Sequence, residues 1–316
     1  MLNPPPDLAL SDCIPFYLQL CSARGQSDKT VAAKASNLSL FSVWCEQHQV
    51  LSAMDVDLAT CEQYQCFLNQ YRTRSGQRLC RGTIRNRLTA VKLFLRALFN
   101  RSLITDSDFE KLELPRCGRV LPRPVLSVDE VKRIIHQPNT ETVVGLRDTT
   151  ILELYYATGL RRSELAELTM DNVDLAQQQL KVCHGKGFKD RLVPIAPNTC
   201  EKLRVYINQI RPKLTTLCSG NTVFVATRGK PFRPTQLSEL IAGYIKKAGI
   251  TKGGACNQLR HAAATHLYEG GADLRAIQMI LGHADISTTQ VYVHVSLCHV
   301  RKIYLQAHPL ATHKLR

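Results

Sequence analysis

Apolar residues recur every three or four positions in four segments of the first hundred residues. This spacing places the apolar side chains on one side of a helix. It predicts four helices, at Leu10–Arg24, Lys29–His48, Leu58–Tyr71 and Arg81–Asn100. Ser27 and Asp28 precede the second segment and suit an N-cap, whose side-chain oxygen accepts a backbone hydrogen bond. We therefore expect an all-α N-terminal domain over residues 1–113.

The helical pattern stops near residue 113. Residues 114–126, LPRCGRVLPRPVL, hold three prolines and no helical period, which is typical of an extended linker between domains. Ser127 and Glu130 then have the spacing of a capping box, in which the side chain of each residue accepts a hydrogen bond from the backbone of the other. A second domain is expected to extend from about residue 123 to residue 316.

The second domain is expected to combine helices with a small sheet. The segments LKVCH and RLVPI alternate or are apolar throughout, and they flank the loop GKGFKD, which predicts a β-hairpin. The segments TQLSELIAGYIKKAGI and ADLRAIQMILGH have helical spacing. The predicted fold class is therefore mainly α with a small antiparallel β-sheet (α+β) in the C-terminal domain.

The composition favours a polyanionic partner. Of the 316 residues, 44% are hydrophobic, enough for packed cores, and the formal net charge is +15. Nucleic acid is the first candidate partner and an anionic membrane surface the second. Since the chain has no run of about 18 apolar residues and no signal-peptide pattern at its start, we expect a cytoplasmic protein without a membrane partner.

The basic residues are concentrated in one stretch. From Arg72 to Arg101 there are nine Lys or Arg residues and no Asp or Glu. This one-signed charge predicts contact with DNA, and an ordinary solvated helix face is the alternative. The candidate DNA-binding residues are Arg72, Arg74, Arg81, Arg85 and Arg87.

The twelve cysteines show no CxxC spacing, and most lie within apolar patterns, as Cys45 and Cys200 do. We interpret them as buried, reduced thiols rather than disulfides or metal ligands. No metal site is predicted.

Two segments of the second domain carry candidate cations for a phosphate site. Arg161 stands at a predicted helix start after Gly159, and its planar guanidinium can bind two phosphate oxygens at once. Glu164, three residues on, shares its helical face and can orient it. Lys186 lies in the predicted hairpin loop and can donate a proton to an alkoxide leaving group. A surface arginine and an ordinary turn lysine are the alternatives, and the nearby Lys189 and Arg191 keep the choice of Lys186 open.

Two further segments, LRHAAATHL and LGHADISTTQVY, follow near the C-terminus. Arg260 can be a second phosphate ligand, whereas His261 and His266 are given structural roles. Gly282 is predicted to end a helix over 275–281, so that His283 projects from the break. Tyr292 lies nine residues further on, and its phenol needs cationic neighbours to act as a nucleophile near pH 7.

With these four segments in order, the chain resembles the tyrosine recombinase (phage integrase) family, and within it the Xer-like bacterial recombinases. The resemblance covers nearly the whole catalytic half, from LRDTTILELYYATGLRRSEL to LGHADISTTQVYVHV. The N-terminal half is similar in pattern more than in residues. The resemblance implies a site-specific recombinase in which an N-terminal core-binding domain and a C-terminal catalytic domain form a C-shaped DNA clamp.

The resemblance also implies a role for each candidate residue. Arg161 and Arg260 would bind the scissile phosphate, and Lys186 would protonate the leaving 5′ oxygen. His283 would help stabilise the transition state, and Tyr292 would form a 3′-phosphotyrosyl link. Because arginines neutralise the phosphate, no cofactor is expected. The implied partners are a double-stranded DNA recombination site and three further protomers, in a homo-tetramer or a hetero-tetramer with a related recombinase, at the bacterial nucleoid.

One position departs from the family pattern. The family has His-x-x-Arg where this chain has Asn257-Gln-Leu-Arg260. Asparagine can donate a hydrogen bond to a phosphate oxygen but cannot transfer a proton near pH 7, so a slower or more tightly controlled cleavage is expected. Two alternatives stay open: a type IB topoisomerase, which uses the same chemistry on one duplex, and a DNA-binding regulator that keeps the fold.

Overall fold

A computed structural model of the chain describes residues 4–73, 75–116, 124–183, 190–252 and 257–282. The chain forms two compact units, Met1–Val120 and Leu121–Arg316. The described residues are mainly helical with one small antiparallel sheet, which confirms the predicted fold class. Within these ranges, no helix is both long and apolar enough to cross a membrane.

The first unit contains the predicted helices. Each begins and ends within one residue of its predicted position: α1 (Leu10–Ala23), α2 (Asp28–Gln47), α3 (Leu58–Gln70) and α4 (Arg81–Phe99). The Ser27 side chain accepts a hydrogen bond from the backbone nitrogen of Thr30 at 3.3 Å, which confirms the N-cap. The capping geometry matches because it depends only on residues within one helical turn.

The four helices bury a common apolar core. Leu38 and Phe41 of α2, Tyr64 of α3, and Leu88 and Phe94 of α4 are fully buried. Burial of each such side chain stabilises the fold by about 1.5–3 kcal/mol. The basic turn between α3 and α4 is closed by a bridge between Arg72 and Arg78.

The first helix of the second unit begins at the predicted capping box. Ser127 and Glu130 exchange both hydrogen bonds, at 2.7 and 3.2 Å. The described helices are α5 (Val128–Ile135), α6 (Val143–Thr158), α7 (Arg162–Ala166), α8 (Pro197–Val205), α9 (Arg211–Leu214), α10 (Pro234–Lys247), α11 (Asn257–Glu269) and α12 (Leu274–Leu281). A π-helical turn at Tyr206–Ile210 joins α8 to α9.

The sheet has three described strands in the order β1-β2-β3, all antiparallel. The strands are β1 (Val173–Asp174), β2 (Gln179–Val182) and β3 (Arg191–Pro194). The hairpin of β2 and β3 is as predicted, with Val182 paired to Arg191 at the end next to its loop. Strand β1 was not predicted, because its two residues are too few to show an alternating pattern.

Helix α6 lies at the centre of the second core. Ile151, Leu152, Leu154 and Tyr155 are fully buried and the one residue between them is partly buried, so most of the circumference of the helix faces protein. A helix that is largely buried shows little of an amphipathic stripe. Its C-terminal end is thereby fixed within the core, next to α7 and α11.

The cysteine prediction is partly wrong. The nine described cysteines are free thiols, and Cys45 and Cys200 are buried as expected. Cys66, Cys80 and Cys218 are exposed instead. Cys66 lies on the outer face of α3, Cys80 is the N-cap of α4, and Cys218 lies in a turn, where no apolar layer covers them.

Candidate active site

Gly159 ends α6 and allows the chain to turn into α7. Its φ of +57° lies in the left-handed region, which favours glycine. A Cβ atom at this position would lie 2.7 Å from Cδ2 of Leu281. Both the backbone conformation and the close approach of α12 therefore require a residue without a side chain.

Arg161 is the N-cap residue of α7, at a helix start as the sequence predicts. Its backbone nitrogen donates to Oε2 of Glu164 at 2.7 Å, and its Nη1 donates to Oε1 of the same carboxylate at 2.7 Å. Glu164 thus orients Arg161 in the way that the spacing indicates. The Nη2 atom of Arg161 donates to the carbonyl oxygen of Gly282.

Arg191, the first residue of β3, is the second arginine on Glu164. Its Nη1 and Nη2 donate to the two carboxylate oxygens at 2.9 and 2.8 Å. Its Nε donates to the carbonyl oxygen of Ile280 at 2.9 Å. Sequence reasoning considered Arg191 only as a rival to Lys186. The available signal was the strand period, since Arg191 shares a face with the fully buried Val193.

Glu164 is ionised within this site. Its side chain is 7% exposed, and burial alone would raise the pKa of its carboxyl. Hydrogen bonds from Arg191 and from the Arg161 backbone outweigh burial and lower the pKa to about 2. At neutral pH the carboxylate is therefore a permanent negative charge between two guanidinium groups.

Arg260 enters from α11 and is 7% exposed. Its Nη1 donates to the carbonyl oxygen of Gly159, and its Nη2 donates to that of Leu281 at 2.8 Å. The predicted phosphate ligands Arg161 and Arg260 therefore lie at one place in the second unit, although they belong to different elements.

That place is the C-terminal end of α12. The last carbonyls of a helix lack partners within the helix and carry partial negative charge. Here each of three guanidinium groups donates to one carbonyl: Arg191 to Ile280, Arg260 to Leu281 and Arg161 to Gly282. The three arginines with Glu164 carry a formal charge of +2 (three positive, one negative) among the described residues. This excess of positive charge is what a site for a phosphodiester requires.

Four predicted residues lie outside the described residues: Arg74, Lys186, His283 and Tyr292. The described Arg191 is on the hairpin whose loop contains Lys186, and Gly282 directly precedes His283. Asn257 is exposed at the first position of α11, one helical turn before Arg260.

The two histidines of the LRHAAATHL segment differ in placement. His261 is exposed. His266 shares a hydrogen bond of 2.8 Å between its Nδ1 atom and the Tyr156 hydroxyl. This contact joins α11 to α6 and agrees with the structural role expected for His266.

The basic residues of the first unit fall into two groups. Arg72, Arg81 and Arg85 are exposed. Arg87 is half-buried, its Nε and Nη1 atoms have no acceptor among the described residues, and its charge lies beside Tyr64. Arg85 also donates to the carbonyl oxygen of Pro115 at 3.2 Å.

The C-terminal half of α4 uses its basic side chains within the unit. Arg96 forms a bidentate ion pair with Glu110, in which its Nη2 atom lies 2.6 Å from Oε2. Lys92 donates to the carbonyl oxygens of Glu110 and Leu112 at 2.8 and 3.1 Å. These two cations therefore anchor the segment that leads to residue 116, and the exposed positive charge is concentrated at the N-terminal end of α4.

Comparison with known proteins gives concordant matches. The family described as "Phage integrase family" matches residues 124–298. Tyrosine recombinase XerC 2 of Ralstonia nicotianae is 37% identical over 308 residues, which cover 98% of this chain and 88% of the relative.

Two solved structures share the fold. The Tn1549 transposon integrase in complex with transposon right end DNA is matched over 95% of this chain and 99% of its own, with 17% identity and a TM-score of 0.73. A lambda integrase tetramer bound to a Holliday junction is matched over 91% of this chain and 78% of its own, with 17% identity and a TM-score of 0.67.

Proposed function

Since this chain belongs to the phage integrase family, we propose that the arginines at the end of α12 bind the scissile phosphate of a DNA site and that Tyr292 attacks it. The relationship makes the protein a Xer-like tyrosine recombinase, an enzyme of site-specific DNA recombination. The observation that carries the proposal is the convergence of Arg161 and Arg260 on the carbonyls of Leu281 and Gly282. His283 is the next residue in the chain.

The proposed reaction is a transesterification without net loss of a phosphodiester bond. The Tyr292 hydroxyl gives its proton to His283 or to water. Its oxygen attacks the phosphorus while Arg161 and Arg260 bind the non-bridging oxygens. The bond to the 5′ oxygen breaks, and Lys186 donates the proton that this oxygen needs to leave as a hydroxyl. His283 helps stabilise the transition state, in which the phosphorus is bonded to five oxygens. The 5′-hydroxyl of a partner strand then attacks the 3′-phosphotyrosyl link and releases the tyrosine.

The charge of the site suits this chemistry. The transition state carries more negative charge on its phosphate oxygens than the ground state does, and prearranged cations stabilise it. Arg161 and Arg260 are held by protein contacts at 2.7 and 2.8 Å. Little reorganisation is therefore needed when the phosphate arrives. The link between DNA and tyrosine conserves the bond energy, so ATP is not required.

We further propose that the first unit is the core-binding domain. Its exposed Arg72, Arg81 and Arg85 lie at the turn before α4 and at the start of that helix, and Arg74 is two residues after Arg72 in the chain. Arginines in such a group bind the phosphate backbone of a duplex irrespective of sequence. In this proposal residues 1–113 form the core-binding domain, 114–126 the linker, and 123–316 the catalytic domain.

The proposed assembly is a tetramer on DNA. Recombination joins two duplexes and cuts four strands, so four protomers are needed. The lambda integrase tetramer on a Holliday junction, whose fold this chain shares, supports the proposal. A homo-tetramer and a hetero-tetramer with a related recombinase both satisfy this requirement.

The covalent intermediate is the test of this proposal. A duplex that binds the protein is first selected from a random-sequence library on immobilised Tyr292→Phe protein, since binding does not require the nucleophile. A nicked version of that duplex is then incubated with the wild-type protein, and covalent complexes are detected on denaturing gels. The wild-type protein is expected to form the complex, and Tyr292→Phe is expected to form none while binding the duplex with nearly unchanged affinity.

Each other outcome has a definite meaning. No complex with the wild-type protein would overturn the enzymatic proposal and favour a DNA-binding regulator. Cleavage retained in Tyr292→Phe would assign the nucleophile elsewhere, with Tyr304 the next candidate. A complex that relaxes supercoils but never exchanges strands between two sites would indicate a topoisomerase.

A further inference from the structure

The geometry points to Arg191 as a positioning residue of the proposed active site. It connects the three elements that carry or adjoin the proposed catalytic residues Arg161, Lys186 and His283. This inference rests on the proposed function. Arg191 belongs to the hairpin whose loop contains Lys186. Its guanidinium binds Glu164, which orients Arg161, and the end of α12, which precedes His283.

The donors of Arg191 are directed at protein atoms. Its Nη1 and Nη2 bind both oxygens of Glu164, and its Nε binds the carbonyl oxygen of Ile280, all between 2.8 and 2.9 Å. Because its Nε and both Nη atoms bind protein atoms, Arg191 acts through its neighbours, whereas Arg161 is 26% exposed and remains accessible to a phosphate.

Arg191 balances the negative charge that Glu164 places beside Arg161. Glu164 alone would neutralise Arg161, because the two groups lie 2.7 Å apart. Arg191 supplies a second positive charge 2.8 Å from the same carboxylate. The pair of Glu164 and Arg191 is then neutral, and the charge of Arg161 stays available to the phosphate. Glu164 can thus orient Arg161 without cancelling it.

The shape of the site also requires a planar group at this position. Gly282 has a φ of +66°, and a Cβ atom on it would lie 2.8 Å from Nη1 of Arg191 and 2.9 Å from Cζ. The guanidinium therefore packs flat against the Gly282 backbone. Lysine has the charge but not the fork, so it cannot bind a carboxylate through two parallel hydrogen bonds and a helix carbonyl at once.

The test separates positioning from binding and from stability. Arg191→Met and Arg191→Lys are compared with the wild-type protein on the selected nicked duplex, by single-turnover cleavage at saturating protein and by Kd for the intact duplex. We expect Arg191→Met to lower the cleavage rate about 100-fold, the loss typical of a misplaced reacting group, with Kd within about twofold of the wild-type value. Arg191→Lys restores the charge without the fork, and its rate is expected between the two.

Arg211→Met is the matched control. Arg211 also donates to backbone carbonyls, those of Gly220, Thr222 and Val223. Among the described residues it has no bond to Glu164 or to the arginines around it. Its loss is expected to lower the thermal stability but not the cleavage rate of the folded protein.

The following outcomes would overturn the inference. They are cleavage by Arg191→Met at the wild-type rate, an equal loss of cleavage in Arg211→Met, or a loss of cleavage that raising the protein concentration to saturation abolishes. If Arg191→Met does not fold, Arg191→Lys decides, because wild-type cleavage by that variant would exclude a need for the fork. A wild-type protein that forms no covalent complex would instead contradict the proposed function itself.

Discussion

Glu164 places a negative charge in a site whose proposed substrate is an anion. The carboxylate accepts hydrogen bonds from Arg161 and Arg191, and it determines where both guanidinium groups lie. A buried carboxylate without partners would take up a proton. Glu164 therefore orients the guanidinium groups of Arg161 and Arg191. Its ionisation is also linked to the stability of the fold.

Glu164→Gln is expected to destabilise the protein in a pH-dependent way. Folding lowers the pKa of the carboxyl from 4.5 to about 2, so its ionisation stabilises the folded state above pH 4.5, and this stabilisation is lost as the pH falls towards 2. Such a shift corresponds to about 3 kcal/mol. Urea unfolding should show a loss of this order for the variant at pH 7 and a shrinking difference from wild type below pH 4.5.

Glu201→Gln is the control for this prediction. Glu201 pairs with Arg204 but is 60% exposed, and exposed pairs contribute little to stability. A Glu164→Gln variant as stable at pH 7 as Glu201→Gln would contradict the assignment of Glu164 as the buried anchor of the arginines.

Asn257→His is expected to accelerate cleavage. Asn257 is exposed on the first turn of α11, so the substitution has little effect on packing. A histidine there can accept the proton of an attacking tyrosine, and such general catalysis contributes about 100-fold or more at well-placed sites. We expect a gain of at least about tenfold near pH 7, with a new dependence of rate on pH around the ordinary histidine pKa of about 6.5.

Single-turnover rates across pH 5.5–8.5 measure this effect. Asn257→Gln retains the amide and is the control. Equal pH profiles for the His and Gln variants would show that the position does not participate in proton transfer.

At the scale of elements, two helix ends meet within the site. Helices α6 and α12 both end in left-handed glycines, Gly159 and Gly282, and the carbonyl of each accepts a hydrogen bond from an arginine. The close approach of Leu281 to Gly159 brings the two ends together. The arginines thus bind where two sets of unpartnered helix carbonyls converge.

Gly159→Ala tests how closely these ends must approach. The new methyl group would meet Leu281 Cδ2 at 2.7 Å, in a backbone with φ of +57°. We expect a loss of about 2–5 kcal/mol in the free energy of unfolding, from conformational strain of about 1–2 kcal/mol and overpacking of about 1–3 kcal/mol.

Gly249→Ala isolates the conformational part. Gly249 also has a positive φ, +72°, but a Cβ there would meet nothing within 4 Å. Urea unfolding of both variants should show the smaller loss for Gly249→Ala. Equal losses would mean that the contact between α6 and α12 can relax without penalty.

At the scale of the whole molecule, the count of 41 lysines and arginines overstates the number of cations available to a polyanion. Lys92 and Arg96 are engaged with Glu110 and with backbone carbonyls, and Glu164 offsets one of the buried arginines. The exposed arginines at the start of α4 remain. Because DNA binding releases condensed counterions, the salt dependence of affinity counts the cations that contact phosphates.

Arg81→Gln and Arg96→Gln are expected to differ in this measurement. Kd for a 30-base-pair duplex of random sequence is followed from 50 to 200 mM salt. Removing Arg81 should reduce the slope of log Kd against log salt by about 1, whereas removing Arg96, which is paired with Glu110, should leave the slope unchanged. A reduced slope for Arg96→Gln with an unchanged slope for Arg81→Gln would contradict the proposed DNA surface.

Much of the fold could be predicted from the sequence because its signals are local. The helices of the first unit and the capping box at Ser127 follow from residues one or two turns apart. The short strand β1 and the exposed thiols of Cys66 and Cys80 were missed, because two residues show no period and a cysteine within an apolar pattern can still lie on an outer face.

The sequence by itself determined the helices, the hairpin and the residues that mark the family, since each depends on neighbours in the chain. Only the tertiary structure decided that Arg161, Arg191 and Arg260 meet at the end of α12 around Glu164. Their elements are far apart in sequence, and their contacts depend on how those elements pack. Hydrophobic period specifies which face of an element is buried, but the partner of a buried charge is set by whichever donors and acceptors the packing brings within about 3 Å of it.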